Sequence, residues 1–211
     1  MSKYVALGIL VSFFGCSSSR MVDQWISPDI SSFEINKVLV IGMTSDEDSR
    51  RLFESKLTTQ LEKEGVKAVE SVDFFERSFT TSAQSVEELD AIENILIQTG
   101  FDAVLFSKVT GSESKMTLIN SMQNISNNID DFRSYFYENQ NIYYDKQSLE
   151  SYQIYHTETL LYCLCPEEDR ELLWKGSIDI IDPRNVKKSV SDYVKTLLKE
   201  LKSQQILFFS K

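Results

Sequence analysis

Lys37-Val38-Leu39-Val40-Ile41-Gly42-Met43 is an almost unbroken apolar run. A strand with one wet face alternates apolar and polar residues, so a continuous run belongs to a strand covered on both faces, inside a sheet. The residues after it supply the cover. Ser45 offers an N-cap, and Asp46, Glu47 and Asp48 place acids where a helix dipole favours them. Phe53, Leu57 and Leu61 then recur every four residues beside Leu52, and Gly65 provides a left-handed stop. A short strand over 66–70 comes next. Ser85-Val86-Glu87-Glu88 is a capping-box pattern ahead of Leu89, Ile92 and Leu96, predicting a second helix that ends near Gly100. Residues 101–106 read as a third strand, and strands joined through helices in this way run parallel with right-handed crossovers.

The second half is organised differently. Residues 112–151 are rich in Asn, Gln, Ser and aromatic residues and read as an excursion from the domain, with 119–136 its best candidate for helix. Two long strands, 152–165 and 170–181, flank Pro166-Glu167-Glu168-Asp169 and form an antiparallel hairpin. Asp182-Pro183 is an N-cap followed by a proline at the first helical position. Val186, Val190, Tyr193, Val194, Leu197, Leu198 and Leu201 trace one face of the strongest helix in the chain, with Lys199 and Lys202 suited to its last turn. The apolar end 206–209 is expected to dock on the sheet. The fold class is α/β, bordering on α+β. It is read as a three-layer or two-layer mixed sheet of about five strands in the order β-α-β-α-β-β-β-α.

The amino terminus speaks to destination. Lys3 precedes an apolar run from Tyr4 to Phe14, followed by Gly15, Cys16 and a serine-rich stretch. A run of about eleven residues is too short for a bilayer core that needs about 20, so it reads as an export signal rather than a membrane span. Gly15-Cys16 resembles a bacterial lipobox, although Phe13 stands where that motif usually carries Leu. The resemblance implies removal of residues 1–15, acylation of Cys16 and a membrane anchor through its acyl chains. An ordinary secretory signal cut near Gly15 or Ser17 is the alternative. Ser17 and Ser18 are not the Asp that retains lipoproteins in the inner membrane of well-studied Gram-negative bacteria, which favours the outer membrane, facing the periplasm. Residues 16–34 are read as a lipidated tether, with Trp25 packing against the domain edge, and 35–209 as one domain.

The pieces Val38-Leu39-Val40-Ile41-Gly42, Arg51-Leu52-Phe53-Glu54, Gly100-Phe101-Asp102-Ala103-Val104-Leu105, Glu158-Thr159-Leu160-Leu161-Tyr162 and Leu173-Trp174-Lys175-Gly176, running into Asp182-Pro183, stand in an order of their own. That order, behind a lipobox, resembles the small periplasmic α/β lipoprotein domains: the TolB amino-terminal domain, the CsgG core and uncharacterised lipoproteins, especially of Bacteroidetes. The resemblance implies a binding or assembly role in the cell envelope. It carries no catalytic signature.

Composition and motifs narrow the chemistry. With 22 Lys+Arg against 32 Asp+Glu in 211 residues, the net charge of −10 argues against a nucleic-acid partner, whose affinity comes from cations displacing counterions. Gly42-Met43-Thr44-Ser45 lies at a strand-to-helix turn that could cradle a phosphate, but the acids beside it favour a plain cap. His156 is the only histidine and shares a strand face with Glu158, half of an acid/base or metal pair that nothing completes, so a structural role is expected. Cys163 and Cys165 are read as free thiols, with a strained disulfide or redox or metal work as the alternatives. The acidic stretches read as solvated caps and turns. No cofactor and no metal are expected. Tyr135, Phe136, Tyr137, Tyr143 and Tyr144 form an aromatic cluster read as the candidate partner-binding surface. The same cluster would serve a glycan or small ligand as a stacking platform, or pack its rings onto the sheet. The function expected is a non-enzymatic, lipid-anchored envelope module that binds a protein partner.

Overall fold

The structure is a computed structural model that describes residues 18–28, 35–80, 82–118, 149–164 and 171–206. Six strands form one mixed sheet: β1 (Ser19–Ile26), β2 (Lys37–Met43), β3 (Lys67–Glu70), β4 (Ala103–Leu118), β5 (Leu149–Cys163) and β6 (Leu172–Ile181), in the spatial order β1-β6-β5-β4-β2-β3. The α/β class is as read from the sequence. The helices are α1 (Glu47–Lys63), the single turn α2 (Ser71–Phe74), α3 (Val86–Gln98) and α4 (Val186–Ser203), with a 3-10 turn at Arg77–Thr80.

β2 is parallel to both β3 and β4, and its side chains divide between two cores. Val38 and Val40 pack with Phe53, Leu57 and Leu61 of α1 and Tyr193, Val194, Leu197 and Leu201 of α4. Leu39 faces the other way, toward Leu96 of α3, Phe101 and Val104. The apolar run is therefore buried on both sides, as its pattern requires. Gly65 and Gly100 end α1 and α3 at φ of 89° and 79°, where a side chain would be strained. Ser85 and Glu88 form the reciprocal capping box. Among the described residues, no helix is long and apolar enough to cross a membrane.

Several expectations need correction. Part of the stretch read as a tether is β1, antiparallel to β6 from Ser19↔Ile180 to Ile26↔Trp174, which raises the strand count to six. Its period-2 signal is broken by a bulge between Met21 and Asp23, so only Met21 and Ile26 reach the core below α4. Trp25, paired with Lys175 on the opposite side of the sheet, is 46% exposed rather than packed. β4 runs on to Leu118 and pairs with β5 as far as Leu149, so both ends of the predicted excursion are regular hairpin. Asp46, not Ser45, caps α1, accepting the Ser49 N–H at 2.7 Å. Asp182 turns through φ 49° with its N–H donated to Gln153, so α4 starts later, capped by Asn185 on the Lys188 N–H. Ile206 is buried in the α1/α4 core, while 207–209, the rest of the apolar end expected to dock on the sheet, lie outside the described residues. Cys163, closed in at the end of β5, is disulfide-bonded, which replaces the free-thiol reading. Cys16, Cys165, the candidate helix 119–136 and the cluster Tyr135–Tyr144 also lie outside the described residues.

Candidate functional site

Strand pairing places His156 and Glu158 on the face of the sheet away from α1 and α4. Glu158 sits opposite Lys108 on β4 and near Lys175 on β6, its carboxylate 3.1 Å from the Lys108 Nζ and 2.5 Å from the Lys175 Nζ. His156 does not join it. Its Nδ1 lies 2.7 Å from Asp179 Oδ1, Arg20 donates to the other Asp179 oxygen at 3.1 Å, and Glu113 stands 3.8 Å from Nε2. The two positions belong to separate cross-strand ladders that hold β1, β6, β5 and β4 in register. Among the described residues, no group of three or more His, Cys, Asp or Glu side chains converges as a metal site.

The hydrogen bonds from Lys175 and then Lys108 hold the Glu158 carboxyl below its ordinary value of 4.5. A depressed carboxyl stabilises the fold above the unfolded value and loses that contribution as pH falls through the folded one. Glu158→Gln should therefore lower the unfolding free energy at pH 7 by about 1 kcal/mol or less. The difference from wild type should close as acid takes the pH below the ordinary glutamate range, and urea titrations at a series of pH values check this.

The turn after β2 binds an anion of the protein's own. Glu54, fully buried, accepts from the Gly42 N–H at 2.8 Å, Arg50 Nε at 3.0 Å, the Ser71 hydroxyl at 2.7 Å and the Val72 N–H at 3.0 Å. The amide that could have cradled a phosphate is satisfied by this carboxylate.

Two other features sequence reasoning passed over. The first is an apolar cleft of about 360 Å³ between α3 and the sheet, floored by Ile41, Val104, Phe106 and Tyr162 and walled by Leu89, Ile92 and the stacked rings of Phe75 and Phe79, 4.2 Å apart. α3 covers it loosely: of its thirteen residues only Leu96 is buried, while Val86, Leu89 and Ile95 are 69%, 48% and 49% exposed. Its capping box and apolar spacing made it look like an ordinary core helix. The second is an open groove of about 530 Å³ between α1 and α4, lined by Lys56, Gln60, Glu64, Lys195, Lys199 and Lys202 among others. Lys202 is ion-paired with Glu64. Lys56 and Lys195 have no carboxylate partner among the described residues. The spacing of Lys188, Lys195, Lys199 and Lys202 along one outer helix face was the available signal, and Lys199 and Lys202 read only as partners for the helix end.

No family model matches the chain, and no curated protein matches it. Among solved structures it is similar to the PelC dodecamer from Paraburkholderia phytofirmans, at 12% identity over 85% of this chain and 94% of that one, with a TM-score of 0.43. It is also similar to lipoprotein GNA1162 from Neisseria meningitidis, at 17% identity over 80% of this chain and 96% of that one, with a TM-score of 0.39. Any function for this chain has to rest on its own residues.

Proposed function

We propose that this chain is a non-enzymatic, lipid-anchored cell-envelope protein: its leader directs export, acyl chains on Cys16 hold it to a membrane, and the cleft beneath α3 receives an apolar segment of an envelope protein. The outer membrane, facing the periplasm, is the favoured address, because serines rather than an aspartate follow Cys16. The observation that carries the binding role is α3 itself. A helix that leaves Val86, Leu89 and Ile95 in water, Leu89 of them lining the apolar cleft, retains surface whose burial is worth about 25 cal/mol per Å². A partner that covers it recovers that free energy. The aromatic lining from Phe75, Phe79, Phe106 and Tyr162 also suits a small ligand with a flat apolar face, the second reading.

A photo-crosslinking residue at Ile95, used in intact cells, tests the first reading. One discrete adduct with an envelope protein is expected, and Leu89→Glu should reduce its yield about tenfold, the loss of roughly 1.4 kcal/mol of contact. No adduct, or the same products from a crosslinker at exposed Lys67 on β3, overturns it. In parallel, Cys16→Ser should move the chain from the membrane to the soluble fraction and abolish fatty-acid labelling. Labelling that persists overturns the anchor.

A further inference from the structure

We infer that the α1/α4 layer lies against the bilayer, and that the groove between these helices takes the phosphate of an anionic phospholipid headgroup. This rests on the proposed Cys16 anchor.

The first observation is where the chain enters the fold. Ser18 donates from its N–H and its hydroxyl to Asp192 of α4, at 2.9 Å and 2.8 Å, and its carbonyl accepts from the Ile181 N–H. The Ser19 hydroxyl shares a hydrogen bond with Thr196, one turn further along α4. Cys16 is two residues upstream of Ser18, and two residues span at most about 7 Å. Acyl chains on Cys16 therefore leave the protein at the flank of α4, with no slack to lift that helix clear of the headgroups.

The second observation is charge. In a chain of net charge −10, α4 carries five lysines against Asp192 and Glu200. Lys188, Lys195, Lys199 and Lys202 are exposed on its outer side. On the other face of the sheet α3 carries Glu87, Glu88, Asp90 and Glu93 and no base. The two outer helices are thus opposite in charge, α4 cationic beside the anchor and α3 acidic beside the apolar cleft on the other face, where Lys108, Lys175 and Arg20 are each paired with a carboxylate. Charges act on a membrane only within a Debye length of about 8 Å at physiological salt, so a short connection is what makes these lysines count.

The third is the groove. Lys56 from α1 and Lys195 from α4 line it without a carboxylate partner among the described residues, beside the Gln60 amide. Two ammonium groups lining an open cleft present donors to a phosphodiester oxygen.

The full acylated protein reconstituted into vesicles of phosphatidylcholine and phosphatidylglycerol provides the test, with lysine accessibility read by amine-reactive labelling and mass spectrometry. Lys56, Lys195 and Lys199 should label about fivefold more slowly than in phosphatidylcholine vesicles. Lys67, at the sheet edge opposite β1, should be unchanged. In the Lys56→Gln/Lys195→Gln protein the protection of Lys199 should fall toward the level of Lys67. Equal labelling in the two vesicle types by protein that floats with them overturns this inference and leaves the anchor standing. Protection already present in detergent, or reproduced there by excess inorganic phosphate, overturns it in favour of another occupant. Protein that fails to float with vesicles overturns the anchor and this inference together.

Discussion

Gly176→Ala is expected to destabilise the domain by about 3 kcal/mol, the upper end of what overpacking costs. Gly176 lies on β6 two residues from Trp174, on the same side of the strand, and the indole folds back over it. A Cβ built there would stand 2.1 Å from the Trp174 Cη2 and 2.5 Å from its Cζ2. The ring has nowhere to go: Trp174 is fully buried among Leu161, Leu173, Ile178 and the α4 side chains. A flat, rigid side chain in a close-packed interior relieves such overlap only by moving its neighbours. The melting temperature should fall by roughly 10 °C. The mechanism has its own signature in a double-mutant cycle. In a Trp174→Leu background the added methyl meets no ring, so its cost should shrink markedly, and a cost that stays the same would refute the account.

Glu54→Ala should cost about 3–5 kcal/mol, because it strands a buried guanidinium. Arg50 is 9% exposed and its Nε donates to Glu54, while its Nη2 donates to the Ser71 hydroxyl at 2.6 Å. Removing the carboxylate also orphans the buried Gly42 amide and the part-buried Val72 amide. Since these partners lie at the end of β2, on α1 and on α2, the loss should loosen the corner where the three meet. Denaturant midpoints give the size. Arg50→Ala/Glu54→Ala should be less destabilised than the two single changes added together, because the stranded charge is gone.

The contrast between these residues and the rest of the fold explains what was legible in sequence. β2, α3 and α4 announce themselves because apolar spacing and caps are local signals, read within one element. Glu54 does not. Four residues after Arg50 it resembles any surface ion pair, and its burial follows only from α1 packing beneath the β2 turn. β1 was hidden by a different cause: its bulge at Val22 disrupts the alternation that marks a strand, and its partner lies at the far end of the chain. The start of α4 was misplaced because Asp182-Pro183 is a sound helix opening locally, whereas the Asp182 N–H is taken by Gln153 of β5. The candidate sites were the least legible. The cleft is formed from α3, the 3-10 turn and the sheet, and the lysine groove needs α1 and α4 side by side. His156 and Glu158 were correctly placed on one face, yet each found a cross-strand partner that spacing alone does not reveal.

The pairing of β1 with β6 imposes an order of events on the molecule. Ser19 meets Ile180, so the first strand to emerge is the last to be joined. Loop closure over such a separation is entropically costly and slow to form. A nascent fragment ending before β6 would hold β5 as an open edge and leave its own leading segment unpaired. Completion of the sheet is thus a report that β6 has been delivered, since β1 has no partner until then.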